Sequence, residues 1–108
     1  MKLTRLGQRK RDARAQKAAM TFQTTVTDLS GTPVQGLLVL GNDMITGETF
    51  IRSTDGAGYA DVAMLGKCKA GDPASVTVLD PLYRFTGTVQ YRTLGGDQVV
   101  AITVVPFG

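Results

Sequence analysis

The chain has 108 residues, of which 43% are hydrophobic and 19% charged. This length is enough for one globular domain, and the hydrophobic fraction is too high for a disordered chain. A single cysteine, Cys68, permits no intrachain disulfide, and no histidine is present, so the commonest general base and metal ligand are both missing. These absences argue against a hydrolase, and we expect a non-enzymatic protein with no cofactor and no metal.

Charge is divided unevenly along the chain. Residues 1–20 contain seven lysines and arginines against one aspartate, a net charge of +6, whereas residues 21–108 contain five bases against eight acids, a net charge of −3. This asymmetry indicates a basic N-terminal arm, residues 1–20, joined to a mildly acidic domain, residues 21–108.

The arm has the composition of a segment that binds a partner. Good helix formers fill residues 8–20, but the short length and the like charges oppose an isolated helix, so we expect an extended or partly helical arm that orders on contact. The bases would pair with carboxylates, and the two leucines would fill small apolar pockets. The predicted partner-binding residues are Lys2, Leu3, Arg5, Leu6, Arg9, Lys10, Arg11, Arg14 and Lys17.

The composition of the arm distinguishes between several possible functions of the segment. It lacks the apolar run of a secretory signal, and no stretch of the chain approaches the length of a membrane span, so we expect neither secretion nor a membrane partner. A mitochondrial presequence is also Arg-rich, but Asp12 and the lack of serine fit it less well. Seven cations could also bind the phosphates of a nucleic acid, although the arm has no aromatic residue to stack on bases.

From Thr21 onward the pattern changes to that of short β-strands. Apolar and β-branched residues alternate with polar ones, and turn signals recur about every 8 to 12 residues, with no helical period. The predicted strands are 22–27, 34–40, 48–53, 59–65, 74–79, 83–91 and 98–105.

Glycine-rich turns separate these strands. Residues 41–43 predict the start of a loop, and residues 80–81, Asp-Pro, end the fifth strand. Residues 55–58 predict a hairpin between strands three and four, and residues 95–97 one between strands six and seven. Seven antiparallel strands without crossover helices indicate an all-β, two-layer sandwich.

Three segments have a familiar order: Val-Thr-Asp-Leu-Ser-Gly-Thr-Pro-Val-Gln-Gly at 26–36, Ser-Thr-Asp-Gly-Ala-Gly-Tyr at 53–59, and Ala-Ser-Val-Thr-Val at 74–78. Together they resemble carboxypeptidase-regulatory-like and related transthyretin-like domains, over most of residues 22–105. The resemblance implies a seven-stranded antiparallel Ig-like (transthyretin-like) β-sandwich. It also implies a non-enzymatic spacer, adhesion module or decoration of a larger assembly, including bacteriophage particles.

Combined with the basic arm, the resemblance predicts a phage capsid decoration (cement) protein or minor virion protein, assembled in the host cytoplasm and located in the virion. Its partner would be the acidic surface of a capsid or tail, and self-association into a homo-oligomer is compatible with this role. The alternative is a nucleic-acid-binding protein that uses the arm on phosphates. A third hypothesis is an extracellular carbohydrate or receptor module.

Two turns carry pairs of carboxylates that could gather at one end of the sandwich as Ca²⁺ ligands: Asp43 with Glu48, and Asp55 with Asp61. Ca²⁺-binding loops place acidic residues in Asp-x-Asp-x-Asp-Gly order, which this sequence lacks. Asp-Gly is also a common turn sequence, so we expect these residues to shape turns.

Cys68 lies between Lys67 and Lys69, and neighbouring cations lower the pKa of an exposed thiol. A cysteine nucleophile also needs an activating base, and without histidine we expect a packed or incidental loop thiol.

Three aromatic residues have two interpretations. Tyr83, Phe85 and Tyr91 alternate along the predicted sixth strand and could form an exposed face that stacks on sugars or bases. Aromatic residues at alternating strand positions are more often core residues or cross-strand pairs, so we expect that structural role.

Overall fold

The chain folds into β-strands joined by turns. The computed structural model describes residues 20–107, and within that range it contains no helix that is long and apolar enough to cross a membrane. The strands are β1 (Thr21–Thr27), β2 (Leu38–Asp43), β3 (Thr49–Ser53), β4 (Tyr59–Ala63), β5 (Pro73–Leu79), β6 (Phe85–Thr86), β7 (Gln90–Thr93), β8 (Gln98–Thr103) and β9 (Val105–Pro106).

Two sheets enclose the core. The three-stranded sheet has the order β4-β1-β8, and the four-stranded sheet has the order β3-β2-β5-β7. The short strands β6 and β9 pair with each other in a separate two-stranded sheet. Buried apolar side chains come from both large sheets and meet in one cluster, which makes the fold all-β and sandwich-like.

The alternation of side chains along each strand decides which of them enter the core. In β1, Phe22 and Val26 are buried whereas Gln23 is exposed. Burying one large apolar side chain contributes about 1.5–3 kcal/mol, so a few residues account for much of the stability. The largest fully buried apolar side chains are Phe22, Leu37, Met64 and Ile102.

Gly41 allows β2 to lie against side chains from the opposite sheet. A Cβ at this position would come 2.6 Å from Met64 Sδ and 3.0 Å from Val62 Cγ1. The prediction that residues 41–43 begin a loop is therefore wrong. Strand β2 continues through them, because this glycine serves close packing and not a turn.

The predicted second strand begins too early, because buried apolar residues precede the true strand. Val34 and Leu37 are buried in an irregular connection that leads to β2. The buried hydroxyl of Thr54 donates to Val34 O over 2.7 Å and accepts from Leu37 N over 3.0 Å. A side-chain hydroxyl thus supplies the hydrogen bonds that strand pairing supplies elsewhere.

The two predicted hairpins are wrong, since both turns cross between the large sheets. Residues 55–58 join β3 to β4, and residues 95–97 join β7 to β8. The first turn closes locally as expected, with Asp55 Oδ1 accepting the N–H groups of Ala57 and Tyr59 at 2.9 Å each. Asp-Gly chemistry therefore fixes a chain reversal but not the sheet that the chain enters next.

Strand pairing also departs from a wholly antiparallel arrangement, because β1 and β8 are parallel. The predicted sixth strand, 83–91, is divided into β6 and β7, and the predicted seventh, 98–105, into β8 and β9. Nine strands therefore stand where seven were predicted. Alternation identifies a strand but contains no information about its partner or the direction of that partner.

Candidate functional site

The predicted partner-binding residues belong to the arm and lie outside the described residues, as does the predicted extended or partly helical form of the arm. They are Lys2, Leu3, Arg5, Leu6, Arg9, Lys10, Arg11, Arg14 and Lys17. The structure does describe where the chain joins the sandwich. Met20 directly precedes β1, and its carbonyl accepts a hydrogen bond from Met64 N over 3.0 Å.

The loops gather at two ends of the sandwich, where binding residues are commonly found. We call the end that holds Met20 the proximal end. Its other segments are the turn 44–48, the loop 64–72 and the turn 94–97. At the opposite, distal end lie the turns 28–33, 54–58 and 80–85, together with β9.

Asp80 organises the distal end. Its side chain is almost completely buried at the end of β5, where it accepts hydrogen bonds from Leu82 N at 2.9 Å, Arg84 N at 2.8 Å and Phe85 N at 3.1 Å. The half-exposed guanidinium of Arg84 adds an ion pair, with Nε 3.1 Å from Asp80 Oδ2. Burial raises the pKa of Asp80, but the backbone donors and the guanidinium outweigh burial, so its pKa is lowered. A carboxylate thus holds the whole turn.

The same turn contains a strained backbone. Tyr83 has a φ of 57°, and it is the one non-glycine residue between 20 and 107 with a positive φ. Such a conformation costs of order 1–3 kcal/mol and persists only where its surroundings enforce it. Here the hydrogen bond from Tyr83 N to Asp80 O, 3.1 Å long, belongs to the network that enforces it.

The strained turn displays large apolar side chains to solvent. Leu82 is 68% exposed and Tyr83 72% exposed. Phe107 contacts Tyr83 edge to face, with ring centroids 6.5 Å apart, and its backbone N–H is fixed to Arg84 O at 2.9 Å. We call Leu82, Tyr83 and Phe107 the distal tip. Exposed aromatic side chains on a rigid backbone are suited to fill apolar pockets of a partner.

The structural interpretation of the three aromatic residues of the predicted sixth strand is therefore wrong for two of them. Tyr83 and Tyr91 are exposed, since the segment is not one continuous strand, whereas Phe85 packs against the core. The sequence indicated only a strand break at Asp80. An aspartate after a strand with an arginine four residues later was the available signal for the distal turn.

At the proximal end a second buried aspartate, Asp43, lies beside the carboxyl group of Asp72. Asp43 Oδ1 accepts from Ile45 N at 2.7 Å and Thr46 N at 3.0 Å, whereas Oδ2 is buried and has no fixed donor. The hydrogen bond with Asp43, and then burial, raise the pKa of Asp72. Burial also raises the pKa of Asp43, but its donors outweigh burial and its pKa is lowered. The proximity of the two carboxyl groups therefore shifts their pKa values in opposite directions and favours protonation of Asp72 over that of Asp43.

Cys68 lies half-buried beside this pair, with Sγ 3.7 Å from Glu48 Oε1. Burial, followed by the neighbouring Asp43 and Glu48, raises the pKa of Cys68 to about 12. The condition under which Lys67 and Lys69 would lower this pKa, an exposed thiol, is not met, because the sulfur is partly buried beside carboxylates. The thiol stays protonated at neutral pH and is a poor nucleophile.

The four turn carboxylates do not form one site. Asp43 and Glu48 lie at the proximal end, whereas Asp55 closes its own turn at the distal end and Asp61 is exposed on β4. Among residues 20–107 no group of three histidine, cysteine or acidic side chains is placed to hold a metal ion.

The sequence matches no protein-family model, and a comparison with curated proteins gives no match. The fold is similar to that of the Bacillus anthracis TIE protein, with a TM-score of 0.62 over 82% of this chain and 12% sequence identity. This chain spans 17% of the length of that protein. At such low identity the likeness concerns the fold alone.

Proposed function

We propose that the protein is a non-enzymatic structural binding protein that connects two partners, one at each end of the sandwich. The observation that carries the proposal is the distal tip, in which a buried Asp80 holds Leu82 and Tyr83 exposed on a strained turn. A turn that only joined β5 to β6 would avoid both the strain and the large exposed side chains. Contact with a partner would bury the exposed side chains and so accounts for both features.

Within the sandwich we assign an Ig-like, transthyretin-like arrangement. Two large sheets of four and three strands support this assignment. The segments with the family resemblance fall on corresponding elements: 26–36 on the end of β1 and its connection, 53–59 on the crossing from β3 to β4, and 74–78 in β5. In this assignment β6 and β9 are additions that build the distal turn.

At the proximal end the basic arm provides the second attachment. We propose that it docks on the acidic surface of a larger assembly such as a phage capsid or tail, which makes the chain a capsid decoration or minor virion protein. The uneven charge supports this docking, since a segment of net charge +6 precedes a body of net charge −3. The family resemblance supports the choice of a virion as the assembly.

Incorporation into mature particles tests this function. The full-length chain is compared with a variant in which Arg9, Arg11 and Arg14 are all changed to Glu, which brings the net charge of the arm from +6 to zero. Because docking depends on opposite charges, incorporated protein should fall at least about tenfold in an immunoblot of purified particles. Thermal unfolding of the variant should match that of the original chain.

The matched control changes the same three arginines to Lys, which keeps the net charge of the arm at +6 and should leave incorporation unchanged. Equal incorporation of the Glu variant would contradict the proposal.

Fluorescence anisotropy with duplex DNA tests the alternative that the arm binds a nucleic acid. Micromolar binding that persists at physiological salt and disappears in the Glu variant would replace docking on a protein by binding to phosphates.

A further inference from the structure

The outer face of the four-stranded sheet exposes apolar side chains on three of its strands. Strand register places Leu40 opposite Ile51, and Leu38 opposite Leu79, with Tyr91 on the edge strand β7. Ile51 is 58% exposed, Leu79 50% and Tyr91 71%. No strand or loop within residues 20–107 covers them. The other outward positions of the four strands carry serine, threonine, asparagine or proline.

No charged residue of the described chain occupies an outward position on these four strands. Arg52 and Arg92 lie at positions opposite Val39 and Ala74, on the side that faces the core, and Asp43 is buried on that side too. Sheets that face water are usually protected by charged side chains, especially lysine. Depletion of charge on a face that exposes apolar side chains is instead typical of the core of a protein interface.

We propose that this uncharged face is a self-association surface, on which a second copy of the chain packs through a two-fold axis. A two-fold contact places the same patch against itself, so any charge on the patch would meet its own copy and repel it. A patch without charge escapes this penalty. The hydroxyl and amide groups of the face can both donate and accept hydrogen bonds, which makes the face complementary to itself.

Other occupants match the face less well. A nucleic acid requires cations for its phosphates, and this face has none. The basic arm of the same chain, with seven lysines and arginines in residues 1–20, would be drawn to carboxylates, which this face lacks as well. A charged partner protein would lose the hydration of its charges without gaining an opposite charge.

The size of the face sets the expected strength of association. Four strands spaced about 4.8 Å apart and roughly five residues long give a face on the order of 15 Å by 17 Å. Standard stable interfaces remove about 800 Å² of accessible surface from each partner, so a sheet face of this size should give a weak dimer. Tethering many copies on one assembly raises their local concentration and would favour the contact there.

Sedimentation velocity of the full chain tests the proposal at protein concentrations from about 10 µM to about 500 µM. We expect a reversible monomer–dimer equilibrium. Ile51→Lys places a cation on the face beside Leu40 of the central strand β2 and should raise the dissociation constant at least about tenfold. Leu79→Lys, on another strand, is a second variant that guards against a local effect on β3. Val99→Lys, at a more exposed position of β8 on the opposite sheet, is the control and should dimerise normally.

Salt distinguishes this contact from association through the arm. Because the face is uncharged, the dissociation constant should change less than about twofold between 0.05 M and 0.5 M NaCl. A purely monomeric chain at every concentration would overturn the proposal, as would equal loss of association in Val99→Lys. Dimers that dissociate at high salt would assign self-association to the basic arm of one copy on the acidic body of another.

Discussion

At each end of the sandwich a buried aspartate holds the turn that follows its strand. Asp80 follows β5 at the distal end, and Asp43 ends β2 at the proximal end. Both accept backbone N–H groups of the next few residues. They differ in the second group that each carboxylate contacts. Asp80 lies beside the guanidinium of Arg84, whereas Asp43 lies beside the carboxyl group of Asp72.

The comparison teaches that two buried aspartates can hold their turns in the same way and still differ in the group that lies beyond the backbone donors. Beside Arg84, Asp80 is an ion with donors on both oxygens, and it can hold a strained backbone at Tyr83. Beside Asp72, Asp43 keeps one oxygen without a fixed donor, and the hydrogen bond with Asp43 raises the pKa of Asp72. The distal turn is therefore held by an ionised carboxylate, whereas protonation of Asp72 is favoured at the proximal end, so the stabilities of the two ends depend on pH with opposite sign.

The largest effect is expected at the distal aspartate. Asp80→Ala removes the acceptor for three backbone N–H groups and for Arg84, and should lower the free energy of unfolding by about 2–4 kcal/mol. Urea denaturation measures this change. Asp61→Ala, at an exposed position on β4, is the control and should change stability by less than about 0.5 kcal/mol. A similar small change in both variants would show that Asp80 does not organise the turn.

A smaller effect separates the two exposed tyrosines. Tyr83→Gly relieves the positive φ and should leave stability unchanged or raise it by up to about 1 kcal/mol, because glycine adopts this conformation freely. Tyr91→Gly, at an equally exposed position in β7, should lower stability by about 1 kcal/mol, because glycine weakens a strand. Urea denaturation of both variants tests the contrast. Equal losses would mean that the backbone of Tyr83 is not strained.

The smallest effect concerns the proximal pair and depends on pH. The pKa of Asp72 is raised above 3.8, so the stability contributed by its protonated form is complete below that value and is lost as pH rises through the raised pKa. Asp72→Asn keeps a neutral donor for Asp43, and its stability relative to the original chain should therefore increase as pH rises from about 4 to about 7.

The control for this pair is Asp72→Ala, which removes the same charge without offering a donor to Asp43 Oδ2. It should be less stable than Asp72→Asn at every pH, as measured by thermal unfolding. The stability contributed by Asp80 changes with pH in the opposite direction. Its pKa is lowered, so this stability is present above 3.8 and is lost as pH falls through the lowered pKa. A constant difference between Asp72→Asn and the original chain at all pH values would argue against a raised pKa of Asp72.

Most strand positions could be predicted from the sequence, because alternation and turn residues act locally. The limits of β3, β4 and β5 lie close to the predicted ranges, and Asp55 closes its turn as its chemistry requires. The distal tip could not be predicted. Its exposure depends on the hydrogen bonds of Asp80 and on the pairing of β6 with β9, both of which become visible only when distant segments meet.

The sequence alone determined that this protein is a chain of short strands, with a basic arm before a mildly acidic body and turns at aspartate and glycine. These properties follow from side-chain periodicity, backbone preferences and net charge, which depend on each residue and its near neighbours. Tertiary structure alone decided that residues 55–58 cross between sheets, that β1 and β8 run parallel, and that Asp43 faces Asp72. Those outcomes depend on which distant surfaces bury one another, because core packing selects the partner of each strand.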